Sequence, residues 1–291
     1  AMAMPGVQTF PDFARTGVGN WAGFLVGWLY WYFWVVVIAI EAIAGAKIIN
    51  SWFPMLEVWQ IGVALMAMLT AVNLMSAKSY GEFEFWFAST KVVAIIVFIL
   101  AAAAYATGIT SPSGPTFSNL TAHGGFAPAG VAAIFVGVST TIFSLCGAEI
   151  ATLAAAESED GASTIARMTI SVSTRILIFF VLSILMIVSI VPWNEIEVGT
   201  SPFAQALRVM GYPAADLIMN SIVLVAVLSC LNSGIYITSR AMFGLAKNGD
   251  APQSCVQLSK AKVPARAILI ASLFSYVALA ASVLSPDRVF N

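Results

Sequence analysis

A carboxylate stands in the run Phe143-Ser144-Leu145-Cys146-Gly147-Ala148-Glu149, inside an otherwise apolar stretch. A charge near the middle of a bilayer is disfavoured by roughly 2.5–3.5 kcal/mol on insertion scales, so an ionisable residue there faces protein or water and serves a purpose. Around it Gly137, Ser139, Thr140, Thr141, Ser144 and Gly147 crowd together. Small and polar residues at that density predict a discontinuous helix around 143–149, whose freed carbonyls and amides can hold a ligand at mid-membrane depth. The alternative is a lone Glu149 bonded to a neighbouring helix, with the small residues serving helix contact.

Two further charges fall inside apolar runs. Lys91 lies nine residues into a segment starting near Glu82, roughly 13 Å along a helix axis, and Val92 to Ala106 follow it without a charge. Either it snorkels to the nearer interface, or it fills the place of a bound cation and exchanges its proton. Glu41 follows Trp28-Leu29-Tyr30-Trp31-Tyr32-Phe33-Trp34 and precedes Ala42-Ile43-Ala44-Gly45-Ala46. Small neighbours permit close helix approach, so its carboxylate points into a bundle. There it would meet a substrate ammonium group, or equally hold Lys91 or a backbone amide. The run Ser229-Cys230-Leu231-Asn232-Ser233-Gly234-Ile235-Tyr236-Ile237-Thr238-Ser239-Arg240 puts Asn232, Tyr236 and Ser239 on one helical face. Such a stripe either glues helices together or lines a cavity.

These residues need spans to position them. The chain is 60% hydrophobic and only 9% charged, with a mean hydropathy of +0.92, which no soluble core of this size can absorb. Apolar stretches of about 20 residues or more are long enough to cross a bilayer. Seven are predicted, at 21–49, 55–77, 83–107, 130–156, 168–191, 215–245 and 267–284. No barrel-strand alternation interrupts them, so the expected class is an all-α integral membrane protein, one domain over 1–291.

The net charge of −1 points to no nucleic-acid partner. Three cysteines without metal spacing predict no zinc site and no disulfide framework. His123 is expected in a solvated loop. Arg15, Lys78, Arg167, Arg175, Arg240, Lys247, Lys260, Lys262 and Arg266 fall on one side of the predicted spans, against Lys47, Arg208 and Arg288 on the other. The positive-inside rule then makes the N-terminus cytoplasmic and the C-terminus external. The opening Ala1-Met2-Ala3-Met4-Pro5 and the odd span count lead us to expect an internal fragment of a longer protein.

Taken together, Trp21-Ala22-Gly23-Phe24 with Gly27-Trp28-Leu29-Tyr30-Trp31, Tyr80-Gly81-Glu82-Phe83-Glu84-Phe85-Trp86 with Lys91-Val92, the Phe143–Glu149 run with Ala154-Ala155-Ala156-Glu157-Ser158, Ile190-Val191-Pro192-Trp193-Asn194, and Ser229–Arg240 with Gly249-Asp250-Ala251-Pro252 resemble bacterial amino acid permeases. The resemblance is to the amino acid, polyamine and organocation superfamily, and within it to the γ-aminobutyrate permease branch. It covers nearly the whole chain with its motifs in order.

The resemblance implies a twelve-helix transporter of two inverted five-helix repeats, of which this chain would carry the end of helix two through helix nine. By position, Phe143 would be the aromatic gate. The backbone of Ser144, Cys146 and Gly147 would bind the substrate amino end, and Glu149 would orient the unwound region or respond to protons. Lys91 would fill the second cation site of sodium-coupled relatives, with Asn232 and Ser233 as its nearest partners, and Glu41 would match an acidic pocket position. Two departures touch cytoplasmic loops: Gln8-Thr9-Phe10 replaces the usual glycine-serine-phenylalanine turn, and Glu157–Arg167 lacks a proline.

The expected function is therefore secondary active transport of a small amino acid across a bacterial inner membrane, as proton-coupled import of γ-aminobutyrate or a similar ω-amino acid, with the proton as coupling ion and no other cofactor. The alternatives are an amino acid or amine exchanger, a permease for aromatic, basic or amide amino acids, and, remotely, a sensor that binds without transporting. No nucleophile with its base, metal cluster or phosphate loop points to an enzyme.

Overall fold

A computed structural model describes residues 9–125, 127–144, 161–197 and 201–284. Among these, every regular element is helical: α1 (Phe10–Val18), α2 (Asn20–Trp52), α3 (Val58–Met75), α4 (Ala77–Ala106), α5 (Asn119–Ala122), α6 (Gly130–Ser144), α7 (Gly161–Ile190), α8 (Pro202–Val209), α9 (Ala215–Lys247) and α10 (Ala265–Leu284), with single 3₁₀ turns at Trp193–Glu195 and Gln253–Val256. Among the described residues four helices are long and apolar enough to cross a bilayer, namely α2, α3, α4 and α9. Shorter apolar stretches run over Thr174–Ile190 in α7 and Ala265–Ala281 in α10.

Local chemistry sets the ends. α1 starts with Pro11 in its first turn and Asp12 accepting from the Thr9 hydroxyl at 2.6 Å. It stops at Gly19, whose φ of +127° no side-chain-bearing residue adopts comfortably. α2 then runs for 33 residues, roughly 50 Å, and so exceeds a hydrocarbon core of about 30 Å. α3 begins later than the expected residue 55, because Glu57 and Gln60 form a capping box that places the first turn at Val58. α4 begins earlier than the expected residue 83. The Ser76 hydroxyl accepts from the Ser79 amide at 3.0 Å, which starts the helix at Ala77 and brings Lys78 to Glu84 inside it. α6 is continuous as far as Ser144.

The chain divides into two compact units, Ala1–Thr90 with Val223–Asn291, and Lys91–Ile222. In the first, Ile38, Met66, Leu69, Leu231, Ile235 and Ile268 pack into one core joining α2, α3, α9 and α10. A second cluster, with Trp31, Val35, Met242 and Leu245, lies toward the far end of α9. Glycine allows these helices to touch: a Cβ at Gly234 would come within 2.8 Å of Ile38 Cγ1, and one at Gly45 within 3.1 Å of Val227 Cγ1.

In the second unit, Phe98 packs edge-on against Phe203 at 4.8 Å. The Tyr105 hydroxyl donates to the Val209 carbonyl at 3.3 Å. Asn119 donates to the Ser189 carbonyl at 3.0 Å, closing the end of α7. Trp193 donates to the carbonyl of His123 at 2.9 Å, which ties down the loop expected around that histidine.

Candidate functional site

The sequence-derived site residues fall into three groups. Cys146, Gly147 and Glu149 lie outside the described residues. So do the side chains of Phe143 and Ser144, whose backbone forms the last turn of α6. Glu41 and Lys91 are both half-buried, on α2 and α4. Glu41 is followed by Ala42 and Ala46, both fully buried, and Gly45 one turn later meets Val227 and Leu65. The carboxylate thus belongs to a stretch of α2 closely packed on α3 and α9. Lys91 opens the second unit.

The third group is a polar seam in the first unit. Asn232 on α9 is fully buried, and its Oδ1 accepts from Asn73 Nδ2 of α3 at 2.9 Å. Asn73 also donates to the Leu69 carbonyl at 3.0 Å, one turn back on its own helix. These bonds leave the Asn73 Oδ1 and Asn232 Nδ2 atoms buried and unpaired. Ser233 shares a hydrogen bond of 3.3 Å with the Tyr80 hydroxyl of α4. The Tyr80 ring stacks on Tyr236 with centroids 4.1 Å apart and planes 9° from parallel. Arg240 covers the Tyr236 ring, its Cζ 3.8 Å from the centroid, a cation–π contact that holds the guanidinium near the end of the seam. At the other end Ser229 donates to Glu84 Oε1 at 2.5 Å, while Glu84 Oε2 is buried and has no partner.

The spacing explains the ladder. On α4, positions 80 and 84 are one turn apart, and on α9 so are 229, 233, 236 and 240, so one face of each helix meets the other. Of the stripe expected at Asn232, Tyr236 and Ser239, the first two make contacts between helices. Ser239 bonds within its own helix, donating to the Tyr236 carbonyl at 2.6 Å and accepting from Arg240 at 3.1 Å.

Asn73 and Glu84 were not among the residues singled out from the sequence. The signal for Glu84 was its position four residues after Tyr80 in an apolar, aromatic run. Asn73 carries no such signal, since one amide in a charge-free span reads as helix contact.

Where α1 meets the turn after α9, Arg15 pairs with Asp250. Trp28 Nε1 donates to the Asp250 carbonyl at 3.3 Å, and Asn248 to Asp12 at 3.1 Å. Gly23 makes room for α1, because a Cβ there would lie 2.6 Å from Arg15 Cβ. An open apolar cleft of about 300 Å³ between α2 and α10 is lined by Trp31, Tyr32, Val35, Phe274 and Val277 among others. Among the described residues no group of three or more His, Cys, Asp or Glu is placed to hold a metal.

What these side chains offer is a handful of buried or half-buried polar groups on membrane helices, suited to proton movement or to a small polar solute. The amino acid permease family model matches residues 1–291. The chain is 47% identical to the γ-aminobutyric acid permease of Bacillus subtilis over 98% of its own length and 61% of that protein's. It is 39% identical to the γ-aminobutyric acid permease of Escherichia coli K12, over the whole of this chain and 63% of the relative. With the D-serine/D-alanine/glycine transporter of the same organism it shares 36% identity, over 90% of this chain and 56% of the relative. The chain thus spans about three fifths of the length of the curated γ-aminobutyric acid permeases it matches.

Proposed function

Since the chain belongs to the amino acid permease family, we propose that it forms the greater part of a secondary transporter that imports γ-aminobutyrate or a similar ω-amino acid together with protons. It is a multi-pass membrane protein of a transporter family and not an enzyme. The observation that carries the substrate reading is the 47% identity to a γ-aminobutyric acid permease along nearly the whole chain.

In this reading the seven predicted spans form one domain of a twelve-helix, five-plus-five inverted-repeat protein in the bacterial inner membrane, entered from the cytoplasmic side and ending outside. By the resemblance, substrate would sit at the break expected around 143–149, held by the backbone of Ser144, Cys146 and Gly147, beside Phe143 and Glu149, and Glu41 would match an acidic pocket position. A zwitterion must be desolvated at both ends to cross. A site built from backbone dipoles with few formal charges does this at low cost, and alternating access carries the solute across. Lys91 exchanges the coupling proton, and by the resemblance Asn232 and Ser233 would be its partners.

The test is uptake of labelled γ-aminobutyrate by permease-deficient cells expressing the full-length permease to which this chain belongs, competed with a panel of unlabelled amino acids and repeated with a proton uncoupler. Uptake abolished by uncoupler and competed only by ω-amino acids supports the reading. Competition by D-alanine or glycine instead favours a second substrate class, for which the 36% identity to a D-serine/D-alanine/glycine transporter speaks. Counterflow from preloaded vesicles without a proton gradient identifies an obligate exchanger if uptake appears only with internal substrate. A Lys91→Ala permease is expected to keep exchange and lose concentration of substrate; normal accumulation would remove Lys91 from its role.

A further inference from the structure

Glu84 is a carboxylate on an apolar helix with one oxygen held and the other bare. Its Oε1 accepts a 2.5 Å hydrogen bond from Ser229, and its Oε2 is buried with no donor. Buried carboxylates are otherwise hydrogen-bonded on both oxygens or paired with a cation, because an ionised oxygen without a partner bears a large desolvation cost. On a membrane helix that cost makes an ionisable residue a functional candidate.

Among the described residues no cation pairs with it. From α9 the contact is the neutral Ser229, and the nearest rungs along the seam are Ser233, Tyr80 and Tyr236. Arg240 is committed to the far end, over Tyr236, eleven residues or about 16 Å along α9 from Ser229. α3, which meets α9 at Asn73, carries no titratable side chain between Val58 and Met75. On α4 the charged residues are Lys78 and Glu82, exposed and paired with each other at 3.8 Å, and Lys91, seven residues on.

We propose that Glu84 is a proton-carrying residue of this permease, loaded on Oε2 and oriented by Ser229. The proton is taken from the outer solution when the seam opens outward, occupies the bare oxygen so that the carboxyl is neutral in the sealed form, and is released to the cytoplasm with the substrate. Ser229 acts as a positioning residue, since its hydroxyl fixes which oxygen faces the proton. The proposal rests on the proton-coupled reading above and adds a carboxylate to the lysine it invokes.

The test uses the full-length permease in cells and in vesicles. Glu84→Gln keeps the shape and removes the titration. It is expected to retain γ-aminobutyrate counterflow within about twofold, while accumulation under a proton gradient falls by about tenfold or more and its pH dependence flattens. Ser229→Ala removes the donor that fixes Oε1 and should move the pH profile of uptake while leaving counterflow within about twofold, which a purely structural serine would not do.

If wild-type uptake responds to uncoupler and Glu84→Gln accumulates substrate with an unchanged pH profile, the role of Glu84 is overturned and the proton-coupled reading stands. If wild-type uptake ignores the uncoupler, both fail. Should Glu84→Gln not reach the membrane, Ser229→Ala decides: a shifted profile supports the assignment, and an unmoved one overturns it.

Discussion

In the first unit Asn73, Ser229 and Asn232 are at most 2% exposed, and their bonds join helices distant in sequence. In the second, Arg208 sits between Glu197 at 3.6 Å and Asp216 at 3.7 Å, with all three side chains between 42% and 66% exposed. These two clusters use polar groups under opposite conditions. An exposed ion pair exchanges water for a partner at little net gain, typically below about 1 kcal/mol. A buried amide or carboxyl has no water to fall back on, so each unmade bond costs about 1–3 kcal/mol. Polar groups retained in the first setting stabilise weakly, whereas those retained in the second carry a cost wherever an atom stays unpaired.

This contrast can be broken by substitution, and the largest effect belongs to the close approach that makes the seam possible. Gly234→Val would drive a side chain into Ile38, whose Cγ1 already lies 2.8 Å from a Cβ position. The expected loss is about 3 kcal/mol, seen as a lower Tm for detergent-solubilised protein. An unchanged Tm would mean that α2 and α9 are free to separate.

Next comes the amide pair. Asn232→Leu strands Asn73 and should cost about 2 kcal/mol, while the double change Asn73→Leu with Asn232→Leu should recover more than half of that. Thermal unfolding of the two singles and the double decides it. If the double simply adds the singles, the two amides do not act as a pair.

A smaller effect is expected where the charges are only partly buried. Arg15 and Asp250 have side chains 21% and 18% exposed, and Arg15→Ala should lose about 1 kcal/mol. Smallest is Arg208→Ala, below about 0.5 kcal/mol and vanishing in high salt. A loss at Arg208 as large as that at Asn232 would erase the distinction between the two regions.

The helices were legible in the sequence because long apolar runs leave little choice: α2, α7, α9 and α10 lie over the stretches expected at 21–49, 168–191, 215–245 and 267–284. Their ends were less so. The capping box at Glu57 and Gln60 and the serine start at Ser76 act over single turns that hydropathy smooths away. That smoothing also hid Glu84. A span read as beginning at Phe83 makes Glu84 a flanking charge, whereas a helix beginning at Ala77 puts it two turns inside.

The importance of Asn232 was visible in its stripe, but its partner Asn73 lies 159 residues away, a pairing that no local pattern encodes. The discontinuity expected around 143–149 follows from small and polar residues alone, and all but its first two residues, 143 and 144, lie outside the described residues.

The central claim is that substrate and proton move together through this membrane protein. It is tested most directly by adding γ-aminobutyrate to lightly buffered proteoliposomes containing the full-length permease and recording the external pH. Our account predicts external alkalinisation that begins with substrate entry, requires the amino acid, and is lost in Glu84→Gln. Entry of γ-aminobutyrate with no movement of protons would contradict it.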